Sequence, residues 1–375
     1  MIFVDLIIFC GFVISFFLSL LLLSKKEKTT ADRLLFLYLL ITSFVFLLFF
    51  ASYYTGIEAY QIPVLYSNQL QMPLLFFYVS ALLKEKLDRW KILILFLPLI
   101  YSLVQFLIPF VIYTDEQLAG LLGTDIFTAP LLYKLSLVLE GIYPPLMLSY
   151  LLKKNYEHKK MIMNNYSFFK GLDLRWIRVF LFMELTAWFL YFFIMLFIDV
   201  DFQHISIALS SLLSVYLAYF AIGYTGIFNR YDIAVPEDSL VRNKNGQYRK
   251  SPISPVDGEL IKSSIESVLK DDKIYRDPEL SLVSLSKLTG QTTHNLSQIF
   301  TSLYQSSFYD VVNKCRVEEV KLRLEEGEAV KNTLLSIAMD SGFNSKASFN
   351  RNFKKYTSFT PSNYLKLVSS RPLSR

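Results

Sequence analysis

The residues best suited to binding a ligand lie near the end of the chain, in GFNSKASFNRNFKKYTSFTPSNYLK, residues 342–366. A glycine turn precedes a helix that Ser345 is predicted to cap, with Phe349 and Phe353 facing inward. The polar and basic residues of this helix cannot all be buried with them. Polar donors on a helix after a glycine turn suit the edges of DNA bases, and trailing lysines suit phosphates. These residues are Lys346, Ser348, Asn350, Arg351 and Lys354.

The charge of this region points to an anionic partner. From Phe343 to the last residue there are seven Lys or Arg and no Asp or Glu, in a chain whose net charge is +6. Both a DNA backbone and an anionic lipid surface attract such a segment. DNA is the favoured interpretation, and attraction to the membrane is the alternative.

The elements that must position this helix form two helix-turn-helix patterns. In the first, an apolar helix ends at Gly290, and Thr292 or Thr293 caps the next helix. A long amphipathic helix follows over about 308–326. A short helix over 334–339 then leads into the glycine turn and the basic helix.

These residues resemble the AraC/XylS-type transcriptional regulators over about Leu282 to Lys366. Residues 248–282 also look like the linker helix of membrane-anchored relatives in that family. The matching positions carry an arginine on the long helix, an Ile-Ala pair, Gly-Phe, spaced Phe with basic neighbours, and Thr-Pro. They are Arg316, Ile337, Ala338, Gly342, Phe343, Phe349, Arg351, Phe353, Lys354, Lys355, Thr360 and Pro361.

The resemblance implies two recognition helices in successive major grooves of double-stranded DNA, about 34 Å apart. It assigns base reading in the first unit to His294, Ser297 and Gln298, and in the second to Lys346, Ala347, Ser348 and Arg351. Lys354 and Lys355 would contact phosphates. For His294 and Arg351 the alternative is an exposed position with no contact to DNA.

The chain departs from the family at three positions. Gln305 and Ser358 stand where the family often has Gly, and Ser286 stands where it often has Ala. The first recognition helix, 292–304, carries no formal charge. DNA affinity is therefore expected to rest mainly on the second unit.

The preceding part of the chain is too apolar for an ordinary soluble protein. The mean hydropathy of the whole chain is +0.38. Seven stretches have about the 20 residues needed to cross a bilayer as helices. They are residues 2–23, 34–54, 63–83, 92–113, 130–152, 178–198 and 205–225.

The connections between these stretches differ in charge. Fifteen Lys or Arg lie in alternate connections, around 25–33, 84–91 and 153–178, and none lies in the others. This asymmetry places the N-terminus outside and the C-terminal region in the cytoplasm of a bacterial cell, at its cytoplasmic membrane. The first stretch lacks the basic start and cleavage site of a signal peptide, so it is expected to be retained.

Polar residues within the apolar stretches are candidates for sensing. Glu140, Glu184, Gln69 and Gln105 could line a pocket for a small ligand. The alternative is that they hold helices together by hydrogen bonds. A retinal Schiff base is excluded, because residues 205–226 contain no lysine.

The sequence therefore predicts an all-α protein with a seven-helix transmembrane domain at 1–226. A linker at 227–258 and an AraC-type DNA-binding domain at 259–375 follow. No phosphate loop or dinucleotide fingerprint appears, and the three His lie in separate regions, so we expect no enzyme, cofactor or metal site.

The predicted function is a membrane-anchored one-component transcriptional regulator. Its expected partners are double-stranded DNA, membrane lipid, an unknown small-molecule or membrane signal, and a second copy of the chain. The alternative is a membrane receptor or transporter-like protein whose cytoplasmic domain binds a protein.

Overall fold

The computed structural model describes residues 2–56, 61–85, 92, 95–98, 100–101, 130–169, 172–197, 203–224 and 253–370. Within these ranges the regular elements are helices, with one isolated antiparallel bridge between Tyr166 and Ser281. The all-helical prediction is thus confirmed for this part of the chain. The helices are α1 Ile2–Ser24, α2 Thr30–Thr55, α3 Gln61–Leu82, α4 Pro130–Asn165, α5 Arg175–Phe197, α6 Gln203–Tyr224, α7 Pro255–Lys270, α8 Leu282–Thr289, α9 Thr293–Ser302, α10 Phe308–Glu325, α11 Leu334–Asp340, α12 Lys346–Thr357 and α13 Pro361–Ser369.

The chain divides into two compact units. The first comprises residues 1–156 and 174–231, and the second comprises 157–173 and 232–375. The segment 157–173, which comprises the end of α4 and most of the connection to α5, therefore belongs with the C-terminal helices. Most of the predicted linker, residues 227–252, lies outside the described residues, and the predicted boundaries at 226 and 258 stay predictions.

Among the described residues of the first unit, four helices are long and apolar enough to cross a membrane. They correspond to four of the seven predicted stretches, at Val4–Ser24, Thr30–Thr55, Arg175–Ile194 and His204–Gly223. The third stretch falls on α3, of which the described apolar part is Leu70–Leu82. The fifth falls on α4, and the fourth lies mostly outside the described residues. A seven-span bundle therefore remains a prediction.

Close helix packing in the first unit is built on small and polar residues. α1 packs against α2 and α6, and α2 packs against α3. Ser211 of α6 donates a hydrogen bond to the carbonyl oxygen of Ile7 in α1, at 3.0 Å. Gln71 of α3 donates to Thr42 of α2 at 3.3 Å. For Gln71, the polar side chain thus holds two helices together, as expected where apolar surfaces alone give little specificity.

The second unit has two apolar clusters along the long helix α10. The first joins α7, α8, α9 and the start of α10 around Ile265, Leu285 and Phe300. The second joins the end of α10 to α11, α12 and α13 around Val320 and Phe353. Each cluster supports one helix-turn-helix unit, and α10 connects the two.

Candidate nucleic-acid interface

The first helix-turn-helix consists of α8, a glycine turn and α9. Gly290 ends α8 with φ 66°, a left-handed conformation that glycine adopts at little cost. The Oγ1 of Thr292 accepts the amide of Asn295 at 3.1 Å and so caps α9. Leu296 and Phe300 are buried. The structure places His294 on the exposed side of α9.

The other two residues predicted for base reading in α9 are less accessible. Ser297 and Gln298 are half-buried. The structure describes no charged side chain on this helix between Thr293 and Ser302 other than the titratable His294. The smaller contribution of the first unit to phosphate attraction stays a prediction.

The second helix-turn-helix consists of α11, a turn at Gly342 and α12. Gly342 has φ 96°, and the Oγ of Ser345 accepts the amide of Ser348 at 3.2 Å. Phe349 and Phe353 are buried, as predicted, and fix which face of α12 points inward. The outer face therefore presents polar and basic side chains to solvent. Its exposed residues are Lys346, Ala347, Asn350, Arg351, Lys354 and Lys355.

Ser348 differs from its neighbours on α12. Its side chain is only 9% exposed. Its carbonyl oxygen and its Oγ both accept hydrogen bonds from the amide of Asn352, at 2.9 and 3.4 Å. The resemblance implies a base contact for Ser348, which stays a prediction, and in the structure its hydroxyl oxygen accepts a hydrogen bond inside the domain.

Arg351 is exposed but turned toward the domain. Its Nη2 donates to the hydroxyl of Tyr309 at 2.9 Å. Its guanidinium carbon lies 5.1 Å from the ring centre of Phe169, a distance typical of a cation–π contact. Two contacts within the domain thus fix the orientation of the Arg351 guanidinium.

Lys355 forms an ion pair with Asp310 of α10, with 2.6 Å between Nζ and Oδ1. The hydroxyl of Tyr356 donates to the same carboxylate at 3.1 Å. Lys355 is half exposed, so the pair is open to solvent. The carboxylate partly neutralises a side chain predicted to contact phosphate.

A buried arginine on α10 holds the backbone of the connection between α7 and α8. The side chain of Arg316 on α10 is 1% exposed. Its Nε donates to the carbonyl oxygen of Tyr275 and its Nη2 to that of Asp277, both at 2.6 Å. Burial lowers the pKa of Arg316 to about 10, which leaves it protonated at neutral pH. The resemblance marked this arginine by position, and the structure shows that it organises the domain from inside.

The departures from the family coincide with unusual backbone geometry. Gln305 and Ser358, which stand where the family often has Gly, have φ of 48° and 65°. Side chains with a Cβ adopt this left-handed region at a cost of about 1–2 kcal/mol. Ser286, which replaces an Ala, donates its hydroxyl to the carbonyl oxygen of Gln291 and ties α8 to the turn.

The predicted ligand pocket is only partly within the described residues. Glu184 of α5 is half-buried and interacts electrostatically with Tyr38 of α2. Gln105 lies outside the described residues. The side chains of Gln69 on α3 and Glu140 on α4 are not among those that the structure describes. The pocket stays a prediction. In the described part of the chain, no group of three His, Cys, Asp or Glu could hold a metal ion.

Comparison with known proteins defines the class of the C-terminal domain. Residues 285–367 match a family model described as a helix-turn-helix domain, and the domain is of the AraC type, as the resemblance predicted. An uncharacterized HTH-type transcriptional regulator of Staphylococcus aureus (strain COL) is 36% identical over 110 residues, which cover 27% of this chain and 14% of that protein.

A second relative has a different coverage. The probable transcription factor PqrA of Proteus vulgaris is 26% identical over 102 residues, which cover 27% of this chain and 81% of that protein. No solved structure matches. The chain thus shares its C-terminal domain with an HTH-type transcriptional regulator and a probable transcription factor, and it spans only a small part of the length of the Staphylococcus relative.

Three residues near the interface were not found from the sequence. Tyr309 was placed on the long helix without a role, yet its hydroxyl accepts from both Arg351 and Asn352, at 2.9 and 2.8 Å. Ser167 and Phe169 lie in the segment between α4 and α5, where the charge pattern predicts only a cytoplasmic connection. No local pattern marks them, because their partners are far away in the sequence.

Proposed function

We propose that this chain is a membrane-anchored, sequence-specific DNA-binding transcriptional regulator that senses a signal and alters transcription without a separate messenger. The observation that carries the proposal is that one chain contains both four long apolar helices and an AraC-type helix-turn-helix domain. The first unit would lie in the bacterial cytoplasmic membrane, with the N-terminus outside. The fifteen Lys or Arg in alternate connections support this orientation.

The DNA-binding part of the proposal is supported by the exposed face of α12. Lys346, Arg351 and Lys354 are exposed there. Arginine suits guanine edges, and lysines suit phosphates. A second copy of the chain would place further recognition helices on the same DNA.

The signalling part requires an equilibrium between two states that a ligand or membrane condition biases. A stimulus that binds the first unit differently in its two states would change the accessibility or orientation of the second unit. Tethering restricts the protein to DNA that reaches the membrane, unless the chain is cut between the units.

The decisive test measures DNA binding by the full-length protein in detergent micelles. Wild-type protein selects duplexes from a randomised library, and its affinity for the selected duplex is then measured across salt concentrations. Arg351→Ala is expected to weaken binding by about 1–3 kcal/mol. Lys354→Ala is expected to weaken all duplexes alike and reduce the salt dependence by about one unit of slope. No selected duplex and no salt-dependent binding would favour the alternative, a membrane protein whose helical domain binds a protein.

Orientation requires a separate experiment. Reporter enzymes fused after Tyr224 and after the final residue should be active only when they remain in the cytoplasm. Activity on the outer side would contradict the proposal, because the helix-turn-helix domain could not then reach the chromosome.

A further inference from the structure

The segment Tyr166–Phe169, here called the docking segment, is hydrogen-bonded inside the second unit. The amide and the hydroxyl of Ser167 both donate to the carbonyl oxygen of Leu280, at 3.1 and 2.7 Å. Tyr166 forms an antiparallel bridge with Ser281, the residue that caps α8. The backbone of the docking segment thus pairs with the chain just before the first helix-turn-helix.

The opposite side of the docking segment meets buried polar groups of α10. The carbonyl oxygen of Ser167 accepts from Nη1 of Arg316 at 3.1 Å and from the amide of Asn313 at 2.9 Å. The Oγ of Ser167 accepts from Nη2 of Arg316 at 3.0 Å. Ser167 and Asn313 are fully buried, and Arg316 is 1% exposed. The docking segment itself helps to close this site to water, and hydrogen bonds in such a buried site are stronger than exposed ones.

Phe169 connects this site to the recognition helix. Its ring centre lies 4.5 Å from that of Tyr309 and 5.1 Å from the guanidinium carbon of Arg351. The same arginine donates to the hydroxyl of Tyr309. The docking segment therefore holds, through one aromatic ring, the side chain best suited to reading a guanine.

We propose that the α10 face formed by Tyr309, Asn313 and Arg316 is a peptide-binding site whose ligand is the chain's own docking segment, and that Phe169 competes with DNA for Arg351. This inference rests on the proposed function, because competition requires that the domain binds DNA. The docking segment connects α4 to α5 in the sequence. A change at the ends of these helices would thus reach the recognition helix directly, without passing through the long connection between α6 and α7.

The first experiment tests whether the docking segment occupies the site. Position 169 of the full-length protein is replaced by p-benzoylphenylalanine, and the protein is irradiated in detergent micelles. Cross-links are expected in the tryptic peptides 288–314, which contains Tyr309, or 347–351, which ends at Arg351. Addition of the duplex selected by the wild-type protein should reduce them. Cross-links elsewhere, or a yield that duplex does not change, would overturn the inference.

The second experiment measures the competition. Phe169→Ala removes the ring, and Phe169→Leu keeps an apolar side chain of similar size but lacks the π face. Each variant is expected to bind the selected duplex about two- to five-fold more tightly than wild type, the release expected for an exposed cation–π contact. Tyr156→Ala, an exposed aromatic residue on α4, is the matched control and should not change affinity.

The outcomes separate the two proposals. Wild-type protein that binds no duplex overturns the proposed function. If the wild type binds the duplex normally but neither Phe169 variant binds it more tightly, only the inference is overturned. Phe169→Leu guards against loss of folding in Phe169→Ala, because it preserves the apolar contact with Tyr309.

Discussion

Gly342 lies directly against the buried guanidinium of Arg316. A Cβ at Gly342 would be 2.9 Å from Nε of Arg316 and would also press on the carbonyl oxygen of Tyr275. The backbone there has φ 96°, so the turn between α11 and α12 needs glycine for both its conformation and its lack of a side chain. The turn that positions the recognition helix is thus packed on the residue that organises the whole domain.

Gly342→Ala is therefore expected to lower the free energy of unfolding of the second unit by about 3 kcal/mol, through backbone strain and overpacking. Gly327→Ala is the matched control, because Gly327 also has positive φ but has no atom within 4 Å of its added Cβ. It should cost only about 1 kcal/mol. Hydrogen exchange of peptides within residues 308–357 measures the free energy of unfolding of both variants. Equal costs would show that Arg316 can yield to the new methyl group.

The acid sensitivity of the second unit is expected to depend on Glu319. This carboxylate is buried and accepts hydrogen bonds from Arg276 and from the hydroxyl of Tyr275. Burial acts to raise its pKa, but these hydrogen bonds and the charges of Arg276 and Lys273 hold the pKa below the usual 4.5. The stabilisation is thus present above pH 4.5 and is lost as pH falls through the folded-state pKa.

Glu319→Gln should lower stability at neutral pH by about 1–3 kcal/mol and remove this acid-dependent loss. The free energy of unfolding can be measured by urea titration of the full-length protein at pH values from neutral to acid. Proteolysis of the second unit reports its unfolding at each urea concentration. Glu318→Gln is the control, because that carboxylate is exposed and pairs with Lys321 on the surface. A wild-type acid profile retained in Glu319→Gln would contradict the prediction.

Local signals predicted most of the second unit, and long-range contacts account for what was missed. The cap at Ser345 and the inward Phe349 and Phe353 depend on neighbours within one or two turns, so the sequence alone places them. It also narrows the cap of α9 to Thr292 or Thr293. The contact between Asn313 and Ser167 joins residues 146 positions apart. No periodicity reports such a pairing, and the docking segment was therefore read as a plain connection.

The same limit applies to side-chain direction. Helical spacing identifies the face of α12 that carries Ser348 and Arg351, but not the rotamers or partners of these residues. The hydroxyl of Ser348 turns to Asn352, and the guanidinium of Arg351 turns to Tyr309. The bond of Ser348 stays within α12, whereas the bond of Arg351 depends on α10, which the local pattern of α12 does not contain.

Replacing Ser358 by Gly should stabilise the second unit. Ser358 ends α12 with φ 65° and is exposed, so its side chain contributes little packing while its backbone is strained. Glycine relieves the strain of the left-handed backbone but is also more flexible in the unfolded chain. The net increase in the free energy of unfolding should be about 0.5–1 kcal/mol. Gln305→Gly should behave similarly.

The control for these substitutions is Glu326→Gly. Glu326 ends α10 with φ −72°, an ordinary right-handed conformation, so glycine there should destabilise by about 1 kcal/mol. Thermal unfolding of all three variants, detected by proteolysis of the second unit, shows whether each substitution raises or lowers its stability. Destabilisation by Ser358→Gly would show that its left-handed backbone carries no strain.

Gly11 is expected to set how closely α1 and α6 approach in the first unit. A Cβ at Gly11 would collide with the side chain of Ser211, whose hydroxyl bonds to α1. Gly11→Val should therefore destabilise the first unit by about 1–3 kcal/mol through overpacking. Gly223→Val is the control, because its added Cβ meets nothing within 4 Å.

The three Trp residues all lie in the first unit, at positions 90, 176 and 188. Intrinsic fluorescence during heating in detergent therefore reports on this unit. A lower midpoint for Gly11→Val than for Gly223→Val is the expected result. Equal midpoints would mean that α1 and α6 can move apart without loss of stability in the first unit.

Asp310 is expected to restrain DNA binding through Lys355. The carboxylate holds Nζ of Lys355 at 2.6 Å, so the lysine is paired before any phosphate arrives. Asp310→Asn removes the negative charge and keeps a similar shape. Because Lys355 could then neutralise a phosphate, the slope of log affinity against log salt should steepen by up to about 0.9, with tighter binding at low salt.

The matched control is again Glu318→Gln, which removes the same charge from α10 at an exposed pair with Lys321. It should leave the slope unchanged if the effect is local rather than a result of net charge. Lys355→Ala combined with Asp310→Asn should return the slope to wild type or below. A steeper slope in the control as well would assign the change to overall charge, and Lys355 would lose its proposed contact with phosphate.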